Sequence, residues 1–270
     1  MTGARRRARL GRPALGLPAA ATVAAAAMGV QAWYAGHRRL PHFGDLDPSG
    51  TVGRPGLPEI RLALVGDSTI TGPGLEHVDD LWIRQVARRL GDGYRFRIRS
   101  EAAGGARARD ALMYQVRAAV AWGPDVAVVS VGANDALRRA RIGRFAAELT
   151  AIVSALTQSG AAVALAGVGD VGAAPRVPFP LKMVVSERSR AADRIHARVA
   201  EQHGAAKVSV GELANEIFRS HPDLFCADLF HPNRDGHAVW ADAAYPVLVE
   251  VLEGVVAARG APGVVPVAGT

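Results

Sequence analysis

The sequence has a single cysteine, Cys226, which excludes an intramolecular disulfide and any multi-cysteine metal site. Lysine is nearly missing: of 32 basic residues only Lys182 and Lys207 are not arginine, a compositional skew that carries no functional information. Acid is absent from the first 39 residues, which hold seven arginines: Arg5, Arg6, Arg7, Arg9, Arg12, Arg38 and Arg39. The formal charge of +7 therefore belongs to this leader, because beyond Arg39 the remaining basic residues equal the 25 acids in number. With a net neutral body, no basic groove for nucleic acid is expected. Among the eight histidines no paired ligand spacing occurs, so neither a metal nor another cofactor is expected. No period of 20–50 residues repeats, which excludes a solenoid. What is present is ordinary globular material, 49% hydrophobic and 21% charged over 270 residues, long enough for a sizeable core.

Residues 14–36 form a run of 23 without a charge. As a helix, rising ~1.5 Å per residue, it just reaches across a hydrocarbon core of about 30 Å. Five arginines precede it and two follow, so the stronger positive end stays in the cytoplasm and the body crosses the membrane. The reading is a signal anchor in the cell membrane. The alternative is a secreted protein, with a signal peptide cleaved near Val30-Gln31-Ala32. Residues 1–36 are thus the leader, 37–58 a Pro/Gly-containing linker, 59–257 the folded domain and 258–270 a flexible tail.

Within the body, strand and helix patterns alternate. Residues 60–65, 126–131 and 162–166 are short apolar runs of the kind that form buried parallel strands, 94–100 alternates as a half-exposed strand, and 207–210 is a short fifth. Helical spacing covers 81–90, 110–122, 145–158, 181–202 and 238–252. This predicts an α/β domain, a three-layer sandwich with a mainly parallel five-stranded sheet covered on both faces. In such sheets ligands bind beyond the carboxyl ends of the strands.

Three polar motifs follow the strands: Gly66-Asp67-Ser68-Thr69, Gly132-Ala133-Asn134-Asp135 and the late Asp228-Leu229-Phe230-His231. Singly, the first two read as helix caps, since Asp, Ser and Asn accept from free N–H groups. Together they suit one chemistry. A serine hydroxyl needs a base, the base needs a group fixing its tautomer, and the oxyanion needs preorganised donors. Ser68 is the candidate nucleophile, His231 the base and Asp228, three residues before it on one turn, the orienting carboxylate. Asn134 offers a side-chain donor to the same point.

This combination resembles the SGNH, or GDSL-type, hydrolase family, and the resemblance spans roughly residues 60–255 with the blocks in the family's order. It implies a flavodoxin-like fold and an oxyanion hole from the Ser68 backbone, the Asn134 side chain and a glycine N–H. That glycine is Gly105, with Gly104 as a one-residue rival, in a block that lacks the asparagine often seen upstream. The arginine- and alanine-rich leader looks like that of the anchored actinobacterial branch. The implied activity is a serine esterase acting on a small-molecule ester, lipid or acylated sugar, without cofactor. An O-acyltransferase or carbohydrate deacetylase would use the same residues, and a non-catalytic α/β binding module is the alternative from another class.

Other conspicuous residues have plainer readings. Gly167-x-Gly169-x-x-Gly172 is followed by a proline-rich stretch and no helix, so it fits a substrate-side loop better than a dinucleotide site. Cys226 reads as a small buried hydrophobe. His237 has Arg234 where an orienting acid would stand, and His221 and Asp223 read as loop surface. Asp67 and Asp135 are expected to hold their loops through backbone N–H groups. Trp82, Phe179, Phe225 and Phe230 are candidates for an acyl pocket or for core, and residues 173–180 for a substrate wall.

Overall fold

The computed structural model describes residues 16–37, 39–138 and 140–260. The chain divides into two units, one up to Arg38 and one from Arg39 onward. In the first, Gly16–His37 forms helix α1, with the Trp33 and His37 rings stacked one turn apart. Among the described residues no helix is long and apolar enough to cross a membrane. The span expected over 14–36 begins at Ala14 and Leu15, which lie outside the described residues. Arg5, Arg6, Arg7, Arg9 and Arg12 lie outside the described residues.

Among the described residues, the second unit is built on six strands: β1 (Gly50–Val52), β2 (Glu59–Gly66), β3 (Arg95–Ser100), β4 (Val126–Ser130), β5 (Ala162–Ala166) and β6 (Ala206–Val208). Their order is β1-β3-β2-β4-β5-β6. Five strands are parallel, as expected; β1 is a sixth, antiparallel to β3 on the outer edge. Residues 39–58, expected to be a linker, thus belong to the folded unit. Leu46 packs against the core, and Pro48 and Val52 are buried, which holds the segment down.

The period-2 pattern of each strand divides its side chains between two cores. Ile60, Leu62 and Leu64 face one way with Val126, Val128, Ala164 and Ala166. Against them pack α3 (Trp82–Arg89), α9 (Val210–Ser220) and α10 (Arg234–Ala258), through Ile83, Val86, Phe218, Ala241, Leu248 and Leu252. Ala63, Val65, Ala127, Val129 and Leu165 face α7 (Ile142–Gln158) and α8 (Leu181–His203), through Leu149, Ile152, Ile195 and Val199. The same core takes Ala108 of α4 (Ala108–Asp110) and Ala119 of α5 (Val116–Trp122), which a π-helical turn over Ala111–Gln115 joins. Each such Leu, Ile or Val contributes about 1.5–3 kcal/mol by leaving water.

The chain leaves β2 toward β3 and returns to the other side of β2 as β4. The order therefore reverses between β2 and β4, whose ends pair at Gly66 and Ser130. Two short helices start just beyond that point, α2 (Ser68–Thr71) and α6 (Ala133–Leu137). They carry Ser68 and Asn134, so these two candidate residues lie at the topological switch of the sheet.

Candidate active site

Asp67 caps α2: its Oδ1 accepts from the Thr69 N–H at 3.0 Å and the Thr69 hydroxyl at 2.9 Å. Ser68, the first residue of the helix, is half-buried and lines a cleft. Behind it, Gln115 grips the Gly66 peptide with both ends of its amide, accepting from N–H at 2.8 Å and donating to C=O at 3.0 Å. The Trp82 indole N–H donates to the Thr69 carbonyl at 2.9 Å. The turn that carries Ser68 is therefore held by Asp67 within it and by Gln115 and Trp82 from two other elements.

Asn134 is buried, and its Nδ2 donates to Asp67 Oδ2 at 3.3 Å and to the Ala106 carbonyl at 3.2 Å. Two acceptors at one end of the amide decide which end is nitrogen. Asp67 is fully buried, and desolvation raises its pKa from 3.8 to about 6 against the lowering hydrogen bonds of Thr69 and Asn134. Asp135 accepts from the Ala108 N–H at 3.0 Å, holding the neighbouring loop as expected. Asp67 does so too, but its bond to Asn134 links two of the motifs, a role that the sequence reading missed.

The late motif closes on itself. His231 Nδ1 lies 2.6 Å from Asp228 Oδ2, while Asp228 Oδ1 accepts from the backbone N–H of Phe230 and of His231, each at 3.0 Å. Burial would raise the Asp228 pKa, but these hydrogen bonds outweigh it and hold the carboxyl below its ordinary value. Leu229, at the apex, has φ +60°. A branched residue in the left-handed region stores local strain, as functional turns often do.

Ser68 and His231 line the same cleft, of about 630 Å³. Its walls include Val171, Ala174, Phe218, Phe225, Phe230 and Trp240. Of the aromatic candidates, Phe225 and Phe230 line this cleft, Trp82 lines a smaller adjoining pocket and Phe179 is exposed. Phe218 and Trp240 were not singled out from sequence, because apolar helix positions do not distinguish wall from core. Gly169 and Val171 of the glycine-rich loop are wall residues; the loop makes only a single 3-10 turn at Val171–Ala173, and no α-helix opens until Leu181. Of residues 173–180, expected as a substrate wall, only Ala174 lines the cleft; Ala174 and Val177 make a small core with Val185, and the Arg176 N–H donates to the Leu229 carbonyl at 2.9 Å.

The other conspicuous residues take different parts. His237 is buried, accepts at Nδ1 from the Trp82 N–H at 3.3 Å, and burial lowers its pKa to about 3. Cys226 is buried with its thiol pushed up to about 11 by desolvation, so it is no nucleophile. His221 and Asp223 are exposed. At the block of two glycines, the Gly104 N–H donates to Asp45 Oδ2 at 2.8 Å, while Gly105 takes φ +75°.

Comparison with known proteins follows these motifs. The model of the GDSL-like lipase/acylhydrolase family matches residues 64–239. The GDSL-like esterase Rv1075c of Mycobacterium tuberculosis is 32% identical over 199 residues, covering 72% of this chain and 63% of the relative. This chain thus spans less than two thirds of that protein's length. Among solved structures, TesA superposes with a TM-score of 0.59 at 24% identity, covering 71% of this chain and 99% of that one. The acetylxylan esterase Axe2 of Geobacillus stearothermophilus gives 0.56 at 18%, covering 74% and 95%. At these identities the structural likeness concerns the fold.

Proposed function

The chain belongs to the GDSL-like lipase/acylhydrolase family, and from that premise we propose that it is a serine esterase that works through an acyl-enzyme on Ser68. The observation that carries this reading is the 2.6 Å contact of Asp228 with His231 Nδ1 in a cleft that Ser68 also lines. With Nδ1 engaged, Nε2 is the ring atom left to take a proton.

In the proposed cycle, Ser68 Oγ attacks the ester carbonyl and forms a C–O bond while its proton passes to His231 Nε2. The tetrahedral oxygen is held by the backbone N–H groups of Ser68 and Gly105 and by Asn134 Nδ2. For the last of these it competes with the Ala106 carbonyl, and an anion is the stronger acceptor. The bond to the leaving alkoxide breaks, and that oxygen collects the proton from His231. Water then repeats the sequence on the acyl-enzyme, releasing the acid and restoring Ser68. Asp228 stays ionised and stabilises the imidazolium. The aromatic walls favour an apolar acyl or alcohol group. A sugar hydroxyl in place of water would make the same residues an O-acyltransferase, and an acetylated sugar as substrate a carbohydrate deacetylase.

Labelling of the purified chain with a fluorophosphonate, beside hydrolysis of p-nitrophenyl esters of rising chain length, tests the reading. Wild type should label and turn over, and Ser68→Ala should do neither. Labelling that survives in Ser68→Ala would refute the assignment, and absence of both in wild type would favour a non-catalytic binding module. We further infer that the domain works outside the cytoplasm, with the leader as an export signal; the excess of arginines before the uncharged run supports this.

A further inference from the structure

Ahead of β1, residues 43–49 lie against the segments that follow β2 and β3. Phe43 reaches Gly74 beside Cys226: a Cβ on Gly74 would meet Cys226 Sγ at 2.7 Å and Phe43 Cδ2 at 3.1 Å. The Pro48 carbonyl accepts from Arg84 Nη1 at 3.4 Å, and Ser49 Oγ accepts from the Ser100 N–H at 3.0 Å. Between these anchors stands Asp45. Its Oδ1 accepts from the Thr71 hydroxyl at 2.7 Å and its Oδ2 from the Gly104 N–H at 2.8 Å, while the next residue, Leu46, donates its N–H to the Thr71 carbonyl at 2.8 Å. Thr71 is the last residue of the helix that begins with Ser68. One carboxylate thus ties the nucleophile helix to the loop that holds Gly104 and Gly105.

The pair of glycines makes sense in this light. A Cβ on Gly104 would lie 2.4 Å from Asp45 Oδ1, so no side chain fits while the carboxylate holds that N–H. Gly105 meets a different demand, its φ of +75°. With the Gly104 N–H committed to Asp45, the Gly105 N–H is the donor left to the reacting oxygen.

We propose that Asp45 is a positioning residue of the site: through Gly104 and Thr71 it sets the placement of the Gly105 N–H relative to Ser68. The inference rests on the esterase reading above and adds to it that the segment before the matched family region completes the oxyanion hole. Asp45 touches no reacting atom. Its removal should displace one donor without deleting it, and misplacements of about 1 Å can cost on the order of 10² in rate.

Steady-state kinetics of the full chain on p-nitrophenyl butyrate tests this, with Ser68→Ala as the control for the reading beneath it. Asp45→Ala should lower kcat by about 10–10² with KM within about threefold, because the loss falls on the transition state. Asp45→Asn, which keeps one acceptor oxygen, should lie between. Gly104→Ala pushes the carboxylate off from the other side and should match Asp45→Ala, and the double variant should be no worse than either. If Ser68→Ala is inactive while folded Asp45→Ala keeps kcat within twofold, or if the two losses add, the positioning role is overturned and the esterase reading stands. If Ser68→Ala remains active, the reading itself fails. Should Asp45→Ala not fold, an unchanged kcat in Gly104→Ala would overturn the proposal alone.

Discussion

Two histidines six positions apart receive opposite environments from the same stretch of chain. His231 is partly open and paired with Asp228, whereas His237 sits in the core with its ring edge against Trp240. His231→Ala should lower kcat by on the order of 10⁴ or more. His237→Ala should keep kcat within a few-fold and instead cost about 2–4 kcal/mol of stability, from a cavity and an orphaned Trp82 N–H. Kinetics paired with urea unfolding separates the two, and the reverse pattern would refute the triad. Buried ionisable groups also shape the pH response. Burial lowers His196 to about 4 and His237 to about 3, below 6.5, so the stability of their neutral forms is present above 6.5 and lost on acidification toward those values. Asp67 opposes them. Raised from 3.8 to about 6, it contributes about 3 kcal/mol that is fully present below 3.8 and lost as pH rises through 6. Asp67→Asn removes this counterweight, so its melting temperature should drop more than that of wild type between pH 7 and 4.5. Parallel melting curves would exclude the raised pKa. The variant should also lose kcat, because an amide nitrogen would then compete for the place facing Asn134 Nδ2.

Gly132 governs an element, the short helix that carries Asn134. It has φ +120°, and a Cβ there would meet Val168 Cγ2 at 2.8 Å and Phe145 Cζ at 3.0 Å. Gly132→Ala should therefore cost about 2–4 kcal/mol through backbone strain and overpacking, and lower kcat by shifting Asn134. Urea unfolding with kinetics on the folded fraction checks both; a stability loss under ~0.5 kcal/mol would contradict the packing. At this scale the sequence was a good guide where pattern is long and local. The five parallel strands and α3, α5, α7, α8 and α10 fall close to their expected places, since buried runs and 3.6-residue spacing persist through them. α9 was missed although Val210, Ala214 and Phe218 recur every four residues, because Gly211 and Asn215 break the apolar look of the stretch. β1 was missed because three residues are too few to show alternation. The site divides likewise. Asp228 and His231 are legible because their partnership lies within one turn. Asp45 is not, since its partners stand 26 and 59 positions away and only folding brings them together.

For the whole molecule, the leader's charge asymmetry has a direct readout. A reporter fused after His42 should lie outside the cytoplasm, accessible to protease in spheroplasts, and a protected reporter would overturn the export reading. The folded unit also carries a built-in clock. Cys226, the one cysteine of the chain, is sealed beneath the Pro73 and Pro232 carbonyls, and burial leaves it protonated at working pH. A thiol reagent can therefore modify it only in molecules that have opened, and the slow rate of that reaction measures how often they open. Ellman's reagent should react sluggishly with the native protein and within seconds in urea, the acceleration tracking loss of esterase activity. Immediate reaction of the native protein would show that the seal does not exist. With no second sulfhydryl to confuse the signal, every variant named above can be ranked for conformational opening without dyes or engineered labels.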